Sequence, residues 1–359
     1  MFKGLENSRL RMAHLKPDDE FSGSGKIIIC LFVFCFMLIV GSLALLRGAY
    51  DIFFWDVCRV LASHVFPFLE SYEVSKIHDT IVWNTRLPRI LLAMMVGISL
   101  AAAGAVYQGC FRNPLVDPFI LGVSSGAAFG AGLGIIMPSF FLSIQMSAFL
   151  FSLIAVAATY LLARMGGKTP AVTLILAGVI IASLFEGLVS ILKYLASDTA
   201  LRTIVFWIMG GFYFAGWNDL IINVPIILGS FLVLWFYGWK INIISMGDDE
   251  ARTMGVNPEK LKIILVVLAT LMTSVAVSTV GIIAWVGLMM PHAARMILGP
   301  DHRYVIPLSA MLGAIYLVIC DTLARTLTTS EIPVGIITSI LGAPYLFYLL
   351  RTKGKRLFG

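Results

Sequence analysis

The sequence predicts an all-α polytopic membrane protein with about ten transmembrane helices, and three observations support this fold class. Of its 359 residues, 59% are apolar and 13% are charged, whereas roughly a quarter of the residues in a soluble domain are charged. The apolar residues form runs of about 20 residues, the length of a membrane-spanning helix. These runs do not alternate between apolar and polar residues, which excludes a membrane β-barrel.

The predicted spans divide the chain into three parts. Residues 1–26 form a polar N-terminal tail, residues 27–352 form a single transmembrane domain, and residues 353–359 form a C-terminal tail. We place the spans at roughly 27–46, 88–111, 120–136, 141–163, 171–195, 220–239, 261–279, 282–298, 304–324 and 333–350. The third and eighth are short and contain several Gly or a Pro. They are either broken helices that line a pathway or helices packed tightly through small residues.

The distribution of Lys and Arg predicts the orientation of the chain. Ten spans place both termini on one side, which collects 18 of the 26 cationic residues and leaves 8 on the other side. Because cytoplasmic loops carry the excess of Lys and Arg, both termini are predicted to be cytoplasmic. This rule also explains the net charge of +6. Since the cations are not clustered with aromatic residues on a polar domain, we expect no nucleic-acid partner.

No catalytic or metal-binding constellation is persuasive. The five cysteines include no Cys-x-x-Cys pair and the five histidines no His-x-x-x-His pair, so neither a disulfide framework nor a metal site is predicted. The segment from Gly23 to Lys26 differs from a phosphate-binding loop, since Glu20 replaces the first Gly and Ile27 replaces the Ser or Thr. We therefore expect no enzymatic activity and no cofactor or ATP site on this chain.

Three segments between the spans are candidates for function. Residues 48–85 contain a predicted amphipathic outside helix near Asp51 to Val65, and residues 196–218 carry interfacial aromatic residues. On the inside, residues 247–256 read as a short polar helix. Its acidic residues favour the positive helix N-terminus, and Gly255 is placed to end it. This segment is either a solvated loop or a docking helix for a cytoplasmic partner.

Charged residues in or beside the spans have two interpretations each. Glu186 lies inside the fifth span, where it lines a polar pathway or is a hydrogen-bonded packing residue. Asp321 and Arg325 are four residues apart and can pair on one helix face. Arg86 and Arg89 flank the start of the second span, where they anchor the chain to headgroups or present cations at the outer surface to an acidic partner.

Motifs along residues 81–352 together resemble the FecCD-type permeases, the membrane subunits of type II ABC importers for siderophores, haem, cobalamin and related chelates. The resemblance rests on order and spacing and is more specific than any one motif. The segments are Arg86-Leu-Pro-Arg89, Gly104 to Gly109, Arg112 to Pro118, Leu121 to Gly126, Leu174 to Gly178, Trp207 to Gly211, Gly247 to Gly255, Gly287 to His292, Asp301 to Arg303, Glu331 to Gly335 and Leu341 to Pro344.

This resemblance implies a type II ABC importer permease fold in the cell inner membrane. A second copy of the chain or a paralogous permease would complete the pathway. Two ATPase subunits, which bind ATP and magnesium, would dock inside, and a substrate-binding protein would dock outside. The residues implied are a coupling helix of Gly247, Asp248, Asp249, Glu250, Ala251, Arg252, Met254 and Gly255, docking arginines Arg86, Arg89 and Arg325, and cytoplasmic gates at Asn113, Leu115, Lys168 and Thr169.

Two rival functions remain at this point. A secondary transporter driven by an ion gradient would use Glu186 as its proton or sodium site. A polytopic membrane enzyme would need polar catalytic groups clustered at one membrane depth, which the sequence does not offer. The cargo is not readable, since no residue selects among siderophore, haem, cobalamin and molybdate.

Overall fold

The regular elements of the computed structural model are helices, which confirms the predicted all-α class. It describes residues 23–48, 50–66, 75–138, 142–164, 166–328 and 330–357. Most of the predicted N-terminal tail, residues 1–26, lies outside the described residues. At the other end the last helix continues to Leu357, into the predicted C-terminal tail.

The helices are numbered in chain order. They are α1 (Gly23–Leu46), α2 (Phe54–Val65), α3 (Lys76–Asp79), α4 (Leu87–Cys110), α5 (Val123–Ile136), α6 (Ile144–Ala163), α7 (Ala171–Leu195), α8 (Asp198–Met209), α9 (Trp217–Phe236), α10 (Gly238–Met246), α11 (Asp248–Thr253), α12 (Pro258–Val280), α13 (Val286–Leu298), α14 (His302–Thr326) and α15 (Val334–Leu357). A π-helical segment, Thr80–Arg86, joins α3 to α4.

Each of the ten predicted spans coincides with an apolar helix. Seven of these are at least 18 residues long and apolar enough to cross a membrane. The other three, α5, α13 and the apolar part of α15, are shorter. The predicted outside helix near Asp51 to Val65 is present as α2, and the 196–218 segment forms α8.

The second span begins earlier than its predicted start at residue 88. Lys76–Cys110 is one continuous helical run of 35 residues, because the π-helical segment carries the chain into Pro88. A proline inside a regular α-helix clashes with the carbonyl four residues earlier. Here Leu87 N donates to Val82 O, five residues back, so the turn widens just before the proline.

Helix α4 forms the centre of the bundle and packs against α9, α12, α13 and α14. Two glycine contacts let the backbones approach closely. A Cβ atom on Gly97 would lie 2.3 Å from the carbonyl oxygen of Gly313 in α14, and one on Gly104 would lie 1.9 Å from that of Gly287 in α13. Helices in lipid lack a hydrophobic driving force for association, and close van der Waals packing at such small residues takes its place.

The third and eighth predicted spans are short helices because each helix begins only after a non-helical N-terminal stretch. Helix α5 starts at Val123 after Gly122 (φ 88°), and α13 starts at Val286 after a non-helical stretch that begins at Gly281 (φ 76°). The predicted starts at 120 and 282 are therefore wrong by three and four residues. Both helices pack closely onto neighbouring helices. Of the two interpretations of the short spans, this favours helices packed through small residues over broken helices that line a pathway.

Candidate functional site

Residues 247–256 contain the predicted short helix. Helix α11 has three acidic residues in its first turn, where the helix dipole favours negative charge. Gly255 (φ 78°) follows the helix, and its N–H donates to Arg252 O at 3.0 Å, which confirms its predicted role as the stop. Ala251 is fully buried, while the side chain of Asp249 is 91% exposed. One face of α11 is therefore fixed to the bundle and the other is open.

A buried lysine connects α11 to the loop before α7. Lys262 is 1% exposed, and its Nζ lies 2.6 Å from Asp248 Oδ2 in α11. The same Nζ donates to the carbonyl oxygen of Thr169 at 3.2 Å. Glu259, one turn before Lys262, accepts from Thr169 N at 3.0 Å and from Thr169 Oγ1 at 2.5 Å. The side chains of Asp248, Lys262 and Glu259 thus join the predicted coupling segment to Thr169, one of the predicted gate residues. The neighbouring predicted gate residue, Lys168, is exposed.

The other predicted gate loop, between α4 and α5, is held by its own polar side chains. Asn113 Oδ1 accepts from Leu115 N at 2.9 Å, and Gln108 Nε2 donates to Val116 O at 3.0 Å. Arg295 Nη2 donates to Gln108 Oε1 at 2.5 Å, which ties the loop base to α13. The side chain of Leu115 is 48% exposed at the tip. The loop therefore has a defined shape and projects an apolar side chain.

At the opposite end, Arg89 is the centre of a buried ion-pair cluster. Its Nη2 lies 2.8 Å from Asp321 Oδ1, and its Nη1 lies 2.9 Å from Glu331 Oε2. Arg325 Nε lies 3.2 Å from Asp321 Oδ2, which confirms the predicted pairing along α14, although the angle does not make a hydrogen bond. The side chain of Glu331 is 39% exposed, while that of Asp321 is 1% exposed.

The expectation that Arg86 and Arg89 present their cations at the outer surface is wrong for this conformation. Arg86, Arg89 and Arg325 are only 3%, 5% and 8% exposed. Arg86 Nη1 donates to Leu45 O at 2.8 Å and its Nη2 to Tyr50 O, so it closes the C-terminal end of α1. A guanidinium in this position compensates the partial negative charge of the helix end. The docking role of the three arginines itself stays a prediction.

Glu186 lies on the open face of α7. Its side chain is exposed in the single chain, and no ion pair to it is found among the described residues. A Cβ atom added to the adjacent Gly187 would meet no neighbouring atom within 4 Å. A carboxylate on a membrane-spanning helix is costly against lipid, so this face requires a polar or protein environment.

The residues missed by the sequence reasoning are Lys262, Glu259, Gln108 and Arg295. Lys262 reads in sequence as an ordinary cation at the start of a span, because nothing in its spacing reveals that Asp248 and Thr169 fold against it. Gln108 sits inside an apolar span, and its isolated polar side chain was the one available signal for a structural contact.

Comparisons with known proteins agree with this arrangement. The FecCD transport family matches residues 34–352. The cobalamin import permease BtuC of Halobacterium salinarum is 42% identical over 287 residues, which cover 80% of this chain and 77% of BtuC. The hemin transport permease HmuU of Yersinia pestis is 41% identical over 285 residues, which cover 77% of this chain and 85% of HmuU.

A solved structure of a metal-chelate type ABC transporter in an inward-facing conformation superimposes with a TM-score of 0.80. It is 33% identical in sequence, and the match covers 90% of this chain and 99% of that one. Family match, identity and fold thus agree over most of the length. The chain belongs to the FecCD transport family and is a membrane-spanning permease subunit of an ABC importer.

Proposed function

We propose that this permease moves a metal chelate, namely an iron siderophore, haem or cobalamin, into the cytoplasm under the control of ATPase subunits docked on residues 247–256. The observation that carries the proposal is the contact path from Asp248 through Lys262 to Thr169. A movement of the docked segment reaches the gate loop through bonded side chains, which is how a rigid-body movement in one subunit can open a pore in another.

The open face of α11 supports docking of the ATPase. Asp249 and Arg252 form an ion pair at 3.0 Å on this face, with side chains 91% and 41% exposed. Glu250 is exposed beside them, and Met254 is 53% exposed. Charged groups can fix the register of a docked partner, and the apolar side chain among them adds buried contact area. ATP and magnesium then belong to the ATPase and not to this chain.

Uptake into proteoliposomes tests this function. The permease is reconstituted with its ATPase and binding protein, and uptake of cobalamin, haem, a ferric siderophore and molybdate is measured. We expect ATP-dependent uptake of one chelate. Charge reversal by Asp249→Arg, Glu250→Arg and Arg252→Glu together should abolish coupling of hydrolysis to uptake, because like charges then face the ATPase.

The matched control reverses a partly exposed ion pair that is far along the chain from this segment, and whose Asp56 also lies 3.6 Å from His78 Nδ1. Asp56→Arg with Arg59→Glu changes α2, where the two side chains lie 3.6 Å apart. This variant should insert and transport as the unaltered chain does. Unaltered coupling in the α11 variant, with both variants inserted, would contradict docking at this segment.

The open face of α7 supports pairing with a second permease. Only 33% of its most apolar stretch is buried inside the chain, and Ser183, Glu186 and Ser190 are exposed along it. In an isolated chain these polar groups would face lipid. A second copy or a paralogous permease would enclose them along a shared pathway. Both partners would then contribute an equivalent face to the dimer.

Glu186→Gln separates this pathway from an ion-gradient mechanism. We expect ATP-driven uptake within about twofold of that of the unaltered chain, because Gln keeps the shape and hydrogen-bonding capacity of a carboxylic acid. Uptake is measured with and without an ionophore that collapses the proton gradient. Complete loss of uptake in the variant, together with loss on adding the ionophore, would assign Glu186 a coupling-ion role.

Docking of the binding protein is proposed at the outer ion-pair cluster. Arg89 and Arg325 contact the carboxylates Asp321 and Glu331 there, while Arg86 is bonded to the backbone carbonyls of Leu45 and Tyr50. The partly exposed Glu331 lies between the Arg89 guanidinium and solvent. Carboxylates of a docking protein would compete with Glu331 for the Arg89 fork. The Lys and Arg count supports an orientation with both termini in the cytoplasm. The family supports the inner membrane as the location of the protein.

The names of two relatives support a chelate as the cargo. BtuC and HmuU are named for cobalamin and hemin, and this chain is 42% and 41% identical to them. Because the two identities are nearly equal, identity does not choose between their cargoes. The uptake panel described above makes that choice.

A further inference from the structure

A deep apolar crevice lies between α1, α9 and α14, on a side of the chain that the transport proposal does not use. Its volume is about 960 Å³, at the upper end of the range for ligand sites in proteins. The lining includes Phe34 and Met37 from α1, Phe231 and Trp235 from α9, and Met311 from α14. The crevice is long and apolar, as a binding site for a hydrocarbon chain requires.

A smaller polar cavity of about 480 Å³ lies beside one end of the crevice. Arg303 and Tyr304 line both spaces, so the two are adjacent at these residues. The polar cavity is also lined by Lys26 and Asn242. An amphiphile that enters the crevice with its tail would therefore place its polar end among these side chains.

Lys26 gives the polar cavity a positive charge. It is 8% exposed, and its Nζ lies 5.6 Å from the ring centroid of Tyr304. Among the described residues no carboxylate lies within ion-pairing distance of it. Arg303, by contrast, is neutralised by Asp301, whose Oδ2 lies 2.6 Å from Arg303 Nη2. Burial opposes ionisation of Asp301, but hydrogen bonds from Arg303 and Asn242 outweigh burial and hold its pKa at about 2.

The depth of the crevice matches one leaflet of a bilayer. Along α1 the lining extends from Ile27 to Met37, a rise of about 15 Å at 1.5 Å per residue. This is half of the roughly 30 Å hydrocarbon core. Trp235 and Trp239 line the same end as Arg303, where aromatic residues mark the membrane interface. The charged end therefore lies at headgroup level and the apolar end near the midplane.

We propose that this crevice binds an anionic glycerophospholipid of the cytoplasmic leaflet, with an acyl chain between α1, α9 and α14 and its phosphate group near Lys26. The leaflet follows from the orientation proposed above, while the binding itself does not depend on the cargo or on the ATPase. A zwitterionic lipid has the same acyl chain but no net negative charge. A higher affinity for the anionic lipid therefore distinguishes binding at this site from nonspecific association of lipid with the apolar surface. Basic pockets between membrane helices are known to take anionic headgroups.

Native mass spectrometry of the purified full-length permease tests this site. After delipidation the protein is titrated with dioleoyl phosphatidylglycerol or dioleoyl phosphatidylcholine. We expect tighter binding of phosphatidylglycerol to the unaltered chain, and Lys26→Gln should weaken that binding about fivefold. Binding of phosphatidylcholine should weaken less, because its choline cation offsets the charge of the phosphate. Met311→Trp, which fills the apolar crevice, should weaken the binding of both lipids.

Lys240→Gln is the matched control, because Lys240 stacks on Tyr237 and lines neither cavity. It should bind phosphatidylglycerol as the unaltered chain does. Equal affinity of the unaltered chain for the two lipids would overturn the proposal, and so would equal losses in the Lys26 and Lys240 variants. Size-exclusion profiles of all variants report whether they are folded. Since no transport is measured, failure here leaves the permease function untouched.

Discussion

Asp321→Asn is expected to destabilise the permease by about 3–5 kcal/mol, the usual effect of removing one partner from a buried ion pair. The Asp321 carboxylate is 1% exposed and lies between Arg89 and Arg325. Asn has nearly the same shape but no charge, so two buried guanidinium groups lose their shared counter-charge. Arg89 keeps Glu331, whereas Arg325 keeps only a 3.4 Å contact to the carbonyl of Arg47 among its hydrogen bonds in the described chain.

Thermal unfolding followed by size-exclusion chromatography measures this effect. Asp56→Asn is the matched control, since Asp56 is 26% exposed and lies 3.6 Å from both Arg59 and His78. Ion pairs that solvent reaches contribute about 0–1 kcal/mol. Glu331→Gln should fall between the two, because Glu331 is 39% exposed. A melting temperature for Asp321→Asn no lower than that of Asp56→Asn would show that the cluster does not stabilise the fold.

Lys262→Met is expected to separate ATP hydrolysis from uptake. The substitution removes the cation that contacts both Asp248 in α11 and the carbonyl of Thr169, a predicted gate residue. Hydrolysis stimulated by the binding protein should continue, while uptake per ATP falls by roughly 5- to 150-fold, the span typical of coupling between two sites. Both quantities are measured on the same proteoliposomes.

Two further variants keep this prediction specific. Lys262→Arg retains the positive charge and should restore part of the coupling, which loss of packing alone would not allow. Lys260→Met changes an exposed lysine two residues earlier on the same helix and should leave coupling unchanged. If Lys262→Met and Lys260→Met transport equally well, the connection from α11 to the gate loop runs through other residues.

The positions of the spans follow from local sequence. An apolar run of about 20 residues must form a helix in lipid, because no water is present to satisfy its backbone groups. The same reasoning finds α11, since acidic residues at its start and Gly255 at its end act within one or two turns. The starts of α5 and α13 were missed by a few residues. Residues with positive φ, Gly122 before α5 and Trp285 before α13, fix these starts, and apolar composition does not reveal backbone conformation.

The environment of the charged residues could be predicted only where both partners lie on one helix. Asp321 and Arg325 are four residues apart, so their pairing follows from helix geometry. Arg89 lies 232 residues from Asp321, and the burial of that pair depends on how α4 meets α14 at Gly97 and Gly313. Read locally, Arg89 is simply a cation at the end of a span.

By itself the sequence determined that this chain is a polytopic helical membrane protein, and the distribution of its cations predicted an orientation. Both conclusions depend on properties that add up along the chain, namely hydrophobicity and charge. The tertiary structure alone decided that Arg86, Arg89 and Arg325 are buried, that Lys262 bonds α11 to the loop before α7, and that Glu186 lies on an open face. Those facts depend on contacts between residues far apart in the chain, and such contacts are set by helix packing.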